Sequence, residues 1–232
     1  MKTIKWIGFA FLVLFLGSCE LVKDDGVEDD PKEAEKLVGL WRGQDVVGRM
    51  VTVYNLRPDR SATLCMYDEL GGVTQISTAI LSSWSATSDM LYIGEEAVLY
   101  NRGGVLVGVD GSQLKEYSLS RIYNPDTGKG TRKLPSLAGK VWKGYFYDKV
   151  IELEFHSNGT MTRTDSPNAG WEGTTQLKEY TWKIEDKVIK ISDGTTTGWG
   201  VGVETNLPGF KTNLIYVDFG DVYCAFSDSK FD

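Results

Sequence analysis

The chain has 232 residues, a formal net charge of -7 and a single histidine. An acidic chain lacks the basic surface that neutralises phosphates, so we expect no nucleic-acid partner. One histidine and three cysteines give little material for a metal centre or a histidine-based triad, so we expect no metal and no cofactor. Aromatic residues make up 12% of the chain and glycines number 26, which is typical of short strands joined by tight turns.

Residues 1–18 are predicted to be a signal peptide. Two lysines precede an apolar run at 7–16, which is shorter than the ~20 residues that span a bilayer. The run ends in Leu16-Gly17-Ser18-Cys19, which resembles the lipobox of bacterial lipoproteins, where the cysteine is acylated and the preceding peptide is removed. The resemblance implies that Cys19 is the lipid attachment site and that the lipid anchors the protein to a membrane. An uncleaved membrane anchor is the alternative.

Residues 19–36 are predicted to be a lipidated acidic tether. They hold eight acidic and three basic side chains, so most of the negative charge of the mature chain lies here. Lys23-Asp24-Asp25 resembles the surface-export signal of lipoproteins in some Gram-negative anaerobes, which implies an outer-membrane lipoprotein exposed on the cell surface. A generic acidic linker on a periplasm-facing lipoprotein is the alternative.

The remaining body contains an internal repeat. Gly39-Leu40-Trp41 has a counterpart in Gly139-Lys140-Val141-Trp142, and Trp84 matches Trp182 at a separation of 98 positions. Matches in the same order at a nearly constant offset indicate two homologous units. The predicted organisation is residues 37–123 for the first unit, 124–133 for a linker rich in turn formers and 134–232 for the second unit.

Each unit is expected to be an antiparallel meander of eight strands. Turn signals recur at intervals of roughly eight to twelve residues, and apolar residues alternate between them. Such a meander commonly closes into a barrel, because closure satisfies its edge strands. We therefore predict an all-β protein with two tandem eight-stranded barrels, and only residues 31–36 have a helical pattern.

The glycine–tryptophan start of each unit resembles the lipocalin-like domains of bacterial lipoproteins. In that family an arginine near the last strand packs across the first-strand tryptophan. Gly39, Trp41 and Arg121 match this motif in the first unit. Gly139 and Trp142 match it in the second, which lacks the arginine and has one extra residue that predicts a bulged first strand. The resemblance implies barrels that hold a small apolar ligand, or whose interior is filled by side chains.

The sequence offers no catalytic signature, so we expect a non-enzymatic protein. It contains no serine elbow and no phosphate-binding loop, and no carboxylate pair is placed for glycoside hydrolysis. His156 precedes Ser157-Asn158-Gly159 and is expected at a strand end. Cys65 and Cys224 are expected to be free buried thiols, with a disulfide as the alternative.

Trp171 and Trp199 are the candidate ligand-binding residues, because each is flanked by glycines. We expect each tryptophan to plug a barrel mouth or the contact between the units, in a lipid-anchored envelope protein that binds a small apolar molecule or nothing. Exposed tryptophan faces also stack well on sugar rings and on apolar groups, so a surface glycan-binding module assisted by Tyr145 and Tyr147 is the alternative. A third hypothesis is a structural partner in an outer-membrane complex.

Overall fold

The structure is a computed structural model that describes residues 29–44, 50–70, 73–81, 83–94, 96–110, 115–205 and 213–228. Cys19 and the predicted signal peptide lie outside these residues. The first element is helix α1 (Pro31–Leu37), with proline in the first turn. Asp30 caps it by accepting hydrogen bonds from the backbone N–H groups of Lys32 (2.9 Å) and Glu33 (3.3 Å). In the described segments no helix has the length and apolar character needed to cross a membrane.

The strands of the first unit lie in two open sheets. These strands, together with β11 from the linker, are β1 (Gly39–Gln44), β2 (Met50–Leu56), β3 (Ala62–Leu70), β4 (Val73–Leu81), β5 (Trp84–Ala86), β6 (Met90–Ile93), β7 (Glu96–Asn101), β8 (Leu106–Asp110), β9 (Lys115–Ser118), β10 (Ser120–Asn124) and β11 (Lys129–Gly130). The six-stranded sheet has the order β11-β10-β1-β2-β3-β4, and the five-stranded sheet has the order β5-β6-β7-β8-β9.

The second unit is a closed antiparallel barrel in which each strand pairs with the next along the chain and the last pairs with the first. This confirms the barrel predicted for residues 134–232. Its strands are β12 (Val141–Phe146), β13 (Lys149–Phe155), β14 (Thr160–Pro167), β15 (Gln176–Glu185), β16 (Val188–Ser192), β17 (Thr197–Thr205), β18 (Asn213–Asp218) and β19 (Tyr223–Ser227).

The structure therefore shows one closed barrel and not two. Where the barrel has the single strand β15, the first unit has β4 and then β5, and a second break at Leu119 separates β9 from β10. At these two points the chain leaves one sheet and enters the other, as happens at the corners of packed sheets. The closed barrel predicted for residues 37–123 is consequently replaced by two layers.

An apolar core lies on each face of the six-stranded sheet. Neighbouring residues of β1 show this, because Leu40 belongs to the core shared with the barrel while Trp41 belongs to a second core beneath helix α1 and the five-stranded sheet. Residues of the first unit in the shared core are Leu40, Val51, Val53, Cys65, Tyr67, Ile122 and Tyr123. The protein is thus built in three layers, with the six-stranded sheet in the middle.

Tryptophan hydrogen bonds repeat between the units. Each indole N–H donates to a backbone carbonyl, and the pairs are Trp41 to Leu37 (2.7 Å), Trp142 to Leu137 (3.5 Å), Trp84 to Arg57 (3.0 Å) and Trp182 to His156 (3.2 Å). The tryptophan lies four residues after its carbonyl partner in the first unit and five residues after it in the second, which accommodates the extra residue before Trp142. No bulge forms, since β12 pairs regularly with β13. The expectation of a bulge in that strand is wrong, and the register shift lies in β1 at Leu40/Trp41.

A buried polar cluster joins the six-stranded sheet to β18. The hydroxyl of Tyr216 accepts a hydrogen bond from Asn55 Nδ2 at 3.0 Å and lies 3.4 Å from Thr63 Oγ1. Arg57 Nη2 donates to Asp218 Oδ2 at 2.7 Å. Burial raises the pKa of the Tyr216 hydroxyl well above its usual value, so the group stays a neutral donor and acceptor. These contacts fix the register between the units.

The predicted linker 124–133 packs against the barrel. It includes β11, whose Gly130 N–H donates to the Asp186 carbonyl at 3.1 Å. At Gly202 of the barrel, a Cβ atom would lie 2.6 Å from the Lys133 carbonyl oxygen, so only glycine admits this close approach. The segment is therefore part of the contact between the units.

Candidate functional site

Side chains fill the barrel where a lipocalin-like protein would hold its ligand. Buried residues alternate with exposed or half-buried ones along β12, β13 and β14, as expected when one face of each strand points into a barrel. Fully buried large side chains of this unit include Trp142, Phe155, Arg163, Phe219 and Phe226. The barrel interior is a packed core around these groups.

One end of that core is built on a buried arginine. Arg163 is 0% exposed, and its guanidinium donates two hydrogen bonds of 2.6 Å to Asp165 and two, of 2.8 and 3.2 Å, to Asp221. Burial alone would raise the pKa of Asp221, but the bonds and charges of Arg163 and Lys178 outweigh it and lower that pKa to about 2. The arginine also lies 4.8 Å above the Phe219 ring. It thereby holds the β18–β19 turn across the barrel end.

The sequence contained a signal for this ion pair that our prediction missed. Met161, Arg163 and Asp165 share the same phase of β14, and all three are buried. An arginine and an aspartate in the apolar phase of a strand indicate a paired internal charge, because an unpaired one would be too costly to bury.

The structure brings together Trp41 and Arg121 in the first unit. The Arg121 guanidinium lies 4.6 Å above the Trp41 ring, and burial lowers the pKa of the arginine. Gly39 precedes them with a φ of 140°, and a Cβ there would lie 2.6 Å from the Tyr123 carbonyl oxygen. These residues form a structural motif that closes β1 against β10.

The corresponding motif of the second unit uses a lysine. Trp142 is fully buried, and Gly139 precedes β12 with a φ of 76°. The ammonium of Lys140 lies 5.9 Å from the centroid of the Trp142 ring and also pairs with Asp228.

Trp199 lies in the contact between the two units. Its ring stacks on Tyr123 with centroids 4.1 Å apart and planes 18° from parallel, and it also approaches Tyr216 at 5.8 Å. The flanking Gly198 and Gly200 serve close packing, since a Cβ at either one would lie 2.9 Å from a carbonyl oxygen of β18. One face of Trp199 is therefore already covered.

Trp171 is instead an exposed side chain on the β14–β15 connection. It is 58% exposed, and Tyr147 on the β12–β13 turn is 66% exposed. The two turns are joined by a hydrogen bond from the Asn168 N–H to the Asp148 carbonyl at 2.7 Å. We call the exposed rings of Trp171 and Tyr147 the aromatic surface; Tyr145 packs partly into the core and is not part of it.

His156 lies at a strand end, and Cys65 and Cys224 lie within strands β3 and β19. No group of three or more histidine, cysteine, aspartate or glutamate residues in the described segments is placed to hold a metal ion. His156 Nε2 lies 3.2 Å from Thr162 Oγ1, but His156 Nδ1 is 3.8 Å from Glu154 Oε1, too far for a hydrogen bond to orient the ring. Cys65 and Cys224 are both free and buried.

The chain was compared with family models, curated proteins and solved structures, and none of them matches it. Function must therefore be argued from the geometry of the site. That geometry consists of a filled barrel, an aromatic stack between the units and an exposed aromatic surface at one barrel end.

Replacing Arg163 tests the buried charge cluster. We expect Arg163→Ala to lower the free energy of unfolding by about 3–5 kcal/mol, because Asp165 is 4% exposed and loses its counter-ion. Urea denaturation followed by tryptophan fluorescence measures the change. The control is Arg102→Ala, whose ion pair with Glu116 is 55% and 48% exposed, and which should cost at most ~1 kcal/mol. Equal losses in the two variants would contradict the assignment.

Proposed function

We propose that this protein is a lipid-anchored, non-enzymatic binding protein of the bacterial cell envelope that recognises glycans through its aromatic surface. The observation that carries the proposal is the exposure of Trp171 and Tyr147 on two turns joined by a backbone hydrogen bond. Large rings that are left open to water at adjacent positions are typical of a binding surface.

The chemistry of sugars suits this surface. A sugar ring presents an apolar C–H face, which packs against an aromatic ring, while its hydroxyls stay in water or find polar partners. Phe146 supports Tyr147 from behind, with ring centroids 5.0 Å apart, and restricts the orientation of the tyrosine. A ring that is held in place before binding loses less side-chain entropy when the ligand arrives.

The packed barrel favours a glycan over an apolar ligand in the lumen. A lipophile would have to displace fully buried side chains such as Trp142 and Phe155, and a packed core resists added volume. We retain a lipocalin-like relationship as a proposal, based on Gly39, Trp41 and Arg121, with the barrel serving as a scaffold.

The proposed absence of catalysis is supported by how the charged groups are used. Arg163, the most deeply buried cation of the barrel, is engaged by Asp165 and Asp221. The imidazole of His156 has no carboxylate within hydrogen-bond distance in the described chain. Groups engaged in this way stabilise the fold and are not poised for proton transfer.

The anchor and the location are proposed from the sequence. A lipid on Cys19 would hold the body at the membrane, and the acidic run after it suggests the outer surface of the outer membrane, with a periplasmic orientation as the alternative. At the cell surface the protein would meet extracellular glycans directly.

Replacing Cys19 tests the anchor. We expect Cys19→Ala to move the protein from the membrane fraction to the soluble fraction, because no thiol remains to carry the lipid. Fractionation without detergent and immunoblotting measure the distribution. Cys65→Ala, which removes a buried thiol of the body, should stay with the membrane. Membrane retention of the Cys19 variant would argue against lipidation.

Replacing Trp171 tests glycan recognition. We expect Trp171→Ala to weaken binding of the glycans that the wild type selects on an array by about thirtyfold, the ~2 kcal/mol typical of a central aromatic contact. Tyr147→Ala should weaken it to a smaller extent. Titration calorimetry with the selected glycan measures both affinities.

The matched control is Ile184→Ala. Ile184 is 49% exposed and lies at the far end of β15 from the loop that carries Trp171, so its truncation should leave affinity unchanged. The proposal fails if the wild type binds no glycan on the array, or if Trp171→Ala binds as well as Ile184→Ala.

A further inference from the structure

A crevice of about 410 Å³ lies between the two units and shares no residue with the aromatic surface. Its volume falls in the range of roughly 300–1,000 Å³ that small-molecule sites occupy, and such sites occur preferentially between domains. The residues that matter for its chemistry are Asn55, Arg57, Tyr123, Pro125, Trp199 and Asp218.

One end of the crevice presents a donor and an acceptor side by side. Arg57 Nη2 donates to Asp218 Oδ2 at 2.7 Å, and the guanidinium lies 3.7 Å above the ring of Tyr223. Asp218 Oδ1 also accepts from the Gly220 N–H at 2.7 Å. Since a guanidinium has five N–H donors, Arg57 can engage a further acceptor while keeping its bond to Asp218. The ion pair is therefore fixed in place before any ligand binds.

The remaining walls are apolar and rigid. Pro125 borders the crevice from the linker and Trp199 borders it from β17, and both side chains are half-buried. Trp199 is held by its stack on Tyr123, so it forms a fixed wall. A ligand that fits must combine an apolar face with polar groups at one end.

We propose that this crevice is a second binding site, which takes a single neutral sugar ring. Neighbouring hydroxyls of such a ring would bridge the ion pair, one accepting from Arg57 and one donating to Asp218, while a C–H face lies against Pro125 and Trp199. The nearby Asp59 disfavours an anionic ligand. This inference rests on the proposed function only for the class of ligand, because the site itself shares no residue with the aromatic surface.

Nuclear magnetic resonance of the tryptophan indoles separates the two sites. The full chain, labelled with ¹⁵N-tryptophan and held in detergent micelles, is titrated with the methyl α-glycosides of glucose, galactose and mannose. Tryptophan-to-phenylalanine variants assign the indole N–H signals. We expect at least one glycoside to shift the Trp199 signal saturably, and to do so with the same affinity in Trp171→Ala, in which the aromatic surface has lost its indole.

An arginine substitution tests the chemistry of the crevice. Arg57→Gln should lower the affinity for the glycoside, measured from the shift of the Trp199 signal, at least tenfold, because it removes the charged donor. The control is Arg102→Gln, since Arg102 also lies over a tyrosine ring, at 5.8 Å from Tyr100, and also pairs with a carboxylate. Arg57→Lys keeps the charge and provides a folded comparison if the glutamine variant is unstable; it should also bind more weakly than the wild type.

The proposal is overturned if none of the three glycosides shifts the Trp199 signal, or if the Arg57 variants bind the glycoside with the same affinity as Arg102→Gln. Its failure is distinguishable from failure of the proposed function. Loss of array binding in Trp171→Ala concerns only the aromatic surface, and a saturable shift of Trp199 in that same variant would show the crevice acting alone.

Discussion

The architecture depends on one strand, β18, being buried on both faces. One face joins the barrel core and the other meets the six-stranded sheet, so residues 214–218 are all buried. The hydroxyl of Tyr216 enters this contact, and it finds partners there only because Asn55 and Thr63 reach it from the first unit. A buried hydroxyl without a partner costs about 1–3 kcal/mol, so the two units favour one register.

This constraint explains where ligands can and cannot bind. Packed side chains fill the barrel interior, and the Arg163 cluster closes one of its ends. Little space therefore remains inside the barrel for a ligand. The contact between the units does not seal completely, and the gap that remains is the crevice beside Trp199. Trp171 and Tyr147 lie on turns at one barrel end and remain open to water.

Local sequence was sufficient to predict the barrel and insufficient for the first unit. The barrel strands show plain alternation, as at Ile151, Leu153 and Phe155, and clear turns separate them. Strand β2 carries Val51 and Val53 in one phase and Met50, Tyr54 and Leu56 in the other, which is typical of a strand covered on both faces. We predicted a barrel because we considered the alternation of one phase only. Apolar residues in both phases instead indicate a strand in the middle layer of a three-layer protein.

The candidate site residues could also be predicted from local sequence only in part. Exposure of Trp171 followed from its glycine-rich loop, because few neighbours are available there. Trp199 has similar glycines, yet those serve close approach to β18, a contact that local sequence does not reveal. Arg57 and Asp218 are 161 positions apart, and their pairing follows from the docking of the two units.

The central claim is that the first unit and the barrel share one core and fold as one cooperative structure. Differential scanning calorimetry of the full chain in detergent tests it most directly. A shared core predicts a single transition whose calorimetric and van't Hoff enthalpies agree, and which coincides with the loss of tryptophan fluorescence. Two separate transitions, one for each unit, would contradict the claim.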